Sequence, residues 1–480
     1  MARRWHPRFT WRRLVVTLIA VAALLGAGYA GYWLANDRES SSGSATPTLD
    51  EQAAGGPLVG GIRGARLGAD APLETPYNIV TRGSDDLFIY GGGYGDNSAA
   101  SGSFVASVEP ATLRERWRRV LINTNATDEW NYPGVLNVLE DGSLVVIYGY
   151  HIARLDRRRG RSRPLRRCRP AAPPRGTPRT TGTTRCRTGR SSPRRSTAKR
   201  GCTENGFSAF LQCSDPSDVP PSVMVAIDPV SLEVPGQITL PEMMGGRVTT
   251  TTHAGTDYIY LPGTQSLYRY TFEDGTFVQD TSWGPVSYLK PGQTAGSAMA
   301  AMGDYVVAMT NGGAPTSTPM SVVAVSQADA SEVLSIQPFA DADSDNSFIP
   351  SMVSVDPVSQ RIYVMDAGAG KIGAVALQDG KLSTVWCDDQ TTLSFTTLIG
   401  PSDQRVLIGT DIPIRFFKQL TEYTTEQVVW RDAATGNELA RSDEFPKMSA
   451  GILVTPGYAG LQYFLTADGH IIALQVDPSG

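Results

Sequence analysis

Val108-Glu109-Pro110-Ala111-Thr112-Leu113-Arg114-Glu115-Arg116-Trp117 is an apolar strand end, an acidic residue, a short turn and a returning strand that carries an aromatic. The acidic side chain caps such a turn, and a Pro-Ala-Thr or Asp-Gly backbone reverses the chain. The pattern recurs as Ile227-Asp228-Pro229-Val230-Ser231, Phe272-Glu273-Asp274-Gly275 and Ser326-Gln327-Ala328-Asp329. It returns as Leu377-Gln378-Asp379-Gly380 and Arg431-Asp432-Ala433-Ala434-Thr435-Gly436, with truncated copies at Leu155-Asp156 and Val476-Asp477-Pro478. Counted from the polar residue, successive spacings are 47, 72, 45, 54, 51, 54 and 45.

Each spacing suits one four-stranded sheet, or one enlarged sheet. From Pro57 onward the chain is rich in Val, Ile, Thr, Tyr and Gly, without a sustained helical period. Short strands at regular spacing predict an all-β fold, and the repeat selects a β-propeller over residues 57–480. Eight blades are expected, with seven as the alternative. Gly451 to Asp477 supplies about three strands, so a strand from Leu58 to Leu67 is expected to complete the last blade and close the ring. Trp117 and Trp386, each eight residues after the polar position, are expected to dock one blade on the next.

These residues resemble the quinoprotein-like family of eight-bladed β-propellers, whose repeats carry an Asp-x-x-Thr-Gly-x-x-x-Trp pattern. Glu109 to Trp117 matches it with Glu for Asp and Leu for Gly, and Arg431 to Gly436 matches its first half. In the quinone-dependent members the cofactor sits over a vicinal disulfide near a calcium ion. This chain has no adjacent cysteine pair, so the resemblance implies the fold without that cofactor.

One stretch departs from the pattern. Arg157 to Arg200 holds 17 Lys and Arg, no Asp or Glu, and no Val, Ile, Met, Phe, Tyr or Trp. Of 43 basic residues, these 17 and five before residue 14 leave 21 against all 47 acidic ones, a balance of about −26 for the remaining chain. A genuine basic loop is one reading, and nucleic acid would then be its obvious partner. That partner is unlikely outside a cell, and the genetic code offers another reading. Slid back one nucleotide, the codons of Thr180 to Arg190 are compatible with Asp-Asn-Gly-Tyr-Asn-Ala-Leu-Pro-Asp-Gly-Thr, and Ser191-Ser192-Pro193 with two apolar residues and a Thr. A frameshift restored near Gly201-Cys202 explains the composition, and the long spacing of 72 contains the run.

The N-terminus predicts an exported protein. Residues 1–13 form a basic tail, and 14–35 are a charge-free, mostly apolar run long enough to cross a membrane as a helix. Tyr29, Tyr32 and Trp33 resemble an interfacial belt, and the Arg residues before the run set the N-terminus in the cytoplasm. A cleavable signal peptide is the alternative reading. Residues 36–56 read as a flexible linker. The expected location is the cell membrane, single-pass, with the propeller outside.

Candidate chemistry is sparse. Aromatics and amides stand where inner strands should begin: Tyr77 and Asn78, then Trp130, Asn131 and Tyr132, then Phe348, with Arg247 in a comparable place. Flat aromatic faces beside amides at a channel mouth would hold a peptide, glycan or envelope protein, or would simply pack the loops. Asp341, Asp343 and Asp345 alternate as in calcium loops, but Asn346 and Met352 replace the expected Gly and Glu; a solvated acidic turn is the competing reading. No cofactor is predicted, with calcium the one candidate. Cys202 and Cys213 are a candidate disulfide, and Cys387 reads as a buried thiol. The function expected is a binding or scaffolding module of the cell envelope; the alternative is a propeller hydrolase, lyase or lactonase with a metal or paired carboxylates in the channel.

Overall fold

The computed structural model describes residues 62–157, 166–167 and 222–478, apart from breaks at 93–102, 123–134, 343–352, 413–425 and 445–454 and a few of five residues or fewer. The basic tail, the apolar run, the linker and most of the Arg-rich stretch lie outside the described residues. No helix among the described residues is long and apolar enough to cross a membrane.

The described strands form eight sheets. The chain enters through β1 (Ile62–Pro72) and builds sheet one from β2 (Tyr77–Arg82), β3 (Leu87–Gly92), β4 (Ser103–Val108) and β5 (Glu115–Ile122). Sheet two holds β6 (Val135–Val138), β7 (Leu144–Tyr148), β8 (His151–Leu155) and β9 (Arg166–Arg167), and sheet three β10 (Val223–Ala226) and β11 (Gly236–Thr239). Sheet four holds β12 (Thr249–His253), β13 (Thr256–Pro262), β14 (Ser266–Glu273) and β15 (Thr276–Gln279), with β16 (Val286–Ser287) beside β14. Sheet five follows with β17 (Thr294–Met302), β18 (Tyr305–Asn311), β19 (Ser321–Ser326) and β20 (Val333–Ile336). Sheet six has β21 (Ser354–Asp356), β22 (Arg361–Asp366), β23 (Lys371–Gln378) and β24 (Lys381–Asp389). Sheet seven has β25 (Thr397–Ile399), β26 (Val406–Asp411), β27 (Gln427–Asp432) and β28 (Glu438–Arg441). The last sheet takes β29 (Thr455–Pro456), β30 (Leu461–Leu465) and β31 (His470–Pro478), and β1 pairs antiparallel with β31 as its fourth strand. The closing strand is therefore present, a few residues further along than Leu58 to Leu67.

Burial explains the patterning. Second and third strands are sandwiched between neighbouring sheets, so both faces are apolar: all six residues of β19 are buried, and Ile372 to Leu377 of β23 likewise. Fourth strands are wetter, and β20 alternates between a half-buried and an exposed face. Apolar clusters join each sheet to the next, from Phe88, Tyr90 and Val105 against Leu136 and Val146 to Val406 and Trp430 against Ile472 and Leu474. Tyr463, Ile471 and Ala473 of the last sheet then pack on Leu87, Phe104 and Leu113 of the first. The sheets close into a ring.

Three of the turns between third and fourth strands share one geometry. In Glu109–Arg114, Asp228–Glu233 and Asp432–Asn437 the first amide donates to the sixth carbonyl, and the fifth amide donates back to the first carbonyl. The carboxylate oxygen of Asp228 accepts from the amides of Val230 and Ser231, and that of Asp432 from the amide and hydroxyl of Thr435. This is why the motif wants Asp first and Ser or Thr fourth. The fifth residue has positive φ, at Leu113, Leu232 and Gly436.

Candidate functional site

Strand order defines two ends of the ring. At one end the inner strands begin, joined there by the connections into each sheet and by the loops between second and third strands. At the other end lie the first–second and third–fourth turns. Tyr77 and Asn78 open β2 at the first end, the mouth. Trp130, Asn131, Tyr132, Arg247 and Phe348 lie outside the described residues, as do Asp343, Asp345, Cys202 and Cys213. Asp341 is exposed, in a turn where the Ala342 amide donates to the Phe339 carbonyl. Cys387 corrects its expectation: it is exposed on β24, an outer strand with one wet face. Partial burial and the nearby Asp388 and Asp389 push its thiol pKa up despite Lys371, which does not suit a nucleophile.

The described residues at the mouth fasten loops to one another. The Glu242 carboxylate, on the way into sheet four, accepts from the Thr264 hydroxyl at 2.7 Å and from the Gln265 and Ser266 amides at 2.9 Å. Gln293, entering sheet five, donates its amide to the Pro319 carbonyl at 2.6 Å and to Ser321 Oγ at 2.8 Å. Gln390, entering sheet seven, donates to Thr392 Oγ1 and the Thr410 carbonyl and accepts from Arg431 Nε at 2.7 Å. Three sheets thus use one device: an acid or amide in the entering segment grips the far end of the second strand or the loop beyond it. Tyr288 adds a hydroxyl donated to the Gly263 carbonyl, and burial, with the Glu242 charge, drives its pKa far up, so it stays a neutral donor. These groups are engaged within the protein, which suits them to holding the rim rather than to proton transfer.

At the opposite end several turns are held by the preceding sheet. Trp117 donates its indole N–H to the Arg157 carbonyl at 2.9 Å and Trp386 to the Ala433 carbonyl at 3.2 Å, the docking role expected of both. Trp386 also lies flat on Gly436, where an added Cβ would come within 2.6 Å of its ring. Sequence reasoning missed the other fasteners. Trp283 donates to the Ser326 carbonyl at 2.9 Å, Arg154 reaches the Val230 carbonyl at 3.4 Å, and Arg361 reaches Ala433 at 3.2 Å. Tyr463 donates its hydroxyl to the Pro110 carbonyl at 3.0 Å, bolting the last sheet to the first. Trp283 stands ten residues after Glu273, not eight, so the spacing did not flag it; the Arg and Tyr fasteners have no local signal at all.

Radial four-stranded sheets, inner strands side by side and a last sheet completed by the first strand define a β-propeller. No family model and no curated protein matches the chain. Among solved structures it is similar to BamB from Moraxella catarrhalis, at 11% identity over 86% of this chain and 99% of that one, with a TM-score of 0.36. It is also similar to Sqt1 from Chaetomium thermophilum, solved bound to the N-terminus of the ribosomal protein L10, at 9% identity over 86% and 99% with a TM-score of 0.46. The Dos1 propeller matches at 7% identity over 86% and 95%, again at 0.46. These superpositions are loose, and the fold rests on the strand pairing itself.

Proposed function

We propose that the protein is a membrane-anchored, extracytoplasmic β-propeller that acts as a binding or scaffolding module, its ligand a peptide, glycan or envelope protein held at the mouth. One observation carries the reading. In the register of β1 on β31, Pro72 lies opposite His470 and Ile62 opposite Pro478. Pro72 leads into β2 at the mouth, so Ile62, where the linker arrives, is at the other end. A ring tethered through residues 14–56 would present its mouth away from the membrane, as a receptor for a soluble or envelope ligand requires.

Each of the eight sheets is read as one blade, making eight rather than seven. The Asp-x-x-Ser/Thr turn and the tryptophans lying over the next turn support a quinoprotein-like relationship. Protease treatment of intact cells, followed by membrane fractionation, tests the location. The ring should be cleaved from outside in treated cells, the full chain of untreated cells should stay with the membrane, and deletion of residues 14–35 should leave it unexported. A ring that survives protease until the cells are lysed would sink the proposal.

A further inference from the structure

Sheet three departs from its neighbours. In sheets one, four, five, six and seven the acidic turn separates the third strand from the fourth. In sheet three the turn Asp228–Glu233 separates β10 from β11, so these are a third and a fourth strand, and among the described residues this sheet has no first or second. Elsewhere the inner strands adjoin round the axis: β29 with β2, β2 with β6, β12 with β17, β17 with β21, β21 with β25, and β25 with β29. Chain order leaves one inner place between β6 and β12. The cluster joining sheets two and three is correspondingly small, with Val145, Ile152 and Leu232 as its buried members.

The chain between β8 and β10 is long enough for two strands, but residues 157–200 have almost no apolar side chains to face the flanking sheets. The neighbouring codon frame permits them. A peptide compatible with it, Asn-Ala-Leu-Pro-Asp-Gly-Thr followed by two apolar residues, aligns with Asn137-Val138-Leu139-Glu140-Asp141-Gly142-Ser143-Leu144-Val145. In sheet two that stretch is the turn from first to second strand. Gly142 takes the positive φ it needs, and the Asp141 carboxylate accepts from the Ser143 amide at 2.9 Å and from its hydroxyl at 2.6 Å. A Thr in place of Ser143 offers the same two donors.

We infer that the inner edge of β10 is the docking edge for a β-hairpin, the first and second strands of sheet three, which the gene encodes one nucleotide out of frame with this chain. Antiparallel pairing would supply the affinity, and alternating apolar side chains facing sheets two and four would set the register.

Amide exchange tests this on the full chain and on its frame-restored counterpart, with β19, a third strand in a complete sheet, as the internal standard. In the present chain the β10 amides turned away from β11 should exchange faster than their equivalents in β19. Restoring the frame should slow them about tenfold or more and raise Tm. A synthetic hairpin carrying the out-of-frame sequence, added to the present chain, should bind saturably and protect the same amides, whereas a scrambled hairpin should not. Protection in either arm supports the assignment. A β10 already protected as well as β19, or exchange unchanged both by the restored frame and by the hairpin, overturns it.

Discussion

Leu113 and Leu232 hold φ values of 55° and 62°, a region that costs a side chain about 1–2 kcal/mol. Both are buried in the clusters that join sheets, and full burial of a leucine returns about 1.5–3 kcal/mol, so packing outweighs strain. Gly436 resolves the same position differently: its φ is 80° and the Trp386 ring lies against it. Gly436→Ala combines strain with overpacking and should cost about 2–4 kcal/mol, read as a fall in Tm of the purified ring. The turn carboxylates give a pH signature. Hydrogen bonds from the Ser231 and Val230 amides lower the Asp228 pKa, and bonds from Ser331 do the same for Asp329. A carboxyl held lower in the folded state stabilises at pH above its unfolded value, and that stabilisation is lost as pH falls through the folded one. Thermal stability should therefore drop below about pH 4. Asp228→Asn should shallow that acid limb in melts recorded across the range.

At the scale of the element, some strands were legible and others were not. The runs Ser321-Val322-Val323-Ala324-Val325 and Ile372-Gly373-Ala374-Val375-Ala376-Leu377 read as strands buried on both faces because a sheet covers each side. The turns were legible because Asp, Thr and Gly serve needs that lie within six residues. Glu242, Gln293 and Gln390 carried no such signal, since the partners they grip at the second strand and the loop beyond it are 20 to 28 positions away and are fixed only once the second strand has returned to the mouth. Tyr463, whose partner is 353 positions distant, was less legible still. The closing strand was foreseen because the last repeat was one strand short, but its register was not. Deleting residues 62–72 would expose the long edge of β31. The shortened ring should lose its cooperative melt and self-associate, detectable by light scattering after size exclusion.

At the scale of the whole molecule, the ring has no single core. Stability is distributed among the sheet-to-sheet clusters and the side chains that bolt each turn to its neighbour. The mouth inherits its shape from that bracing, because the rim loops are tied to strands that cannot shift alone. The composition of residues 157–200 was conspicuous in the sequence, yet its meaning came from architecture: a place in a ring is defined by its neighbours, and β6 and β12 define one that, among the described residues, β10 and β11 only half fill.

The pairing of β1 with β31 also sets an order of events. The strand that completes the last sheet is the first part of the ring to be synthesised, and its partner is the last. If the ring is exported in chain order behind residues 14–35, β1 emerges with no complementary edge and waits until nearly all of the remaining chain has followed. Closure is then the most non-local step in folding and among the slowest. A chain halted anywhere short of His470 carries its first strand as an unmatched edge, open to the wrong partner.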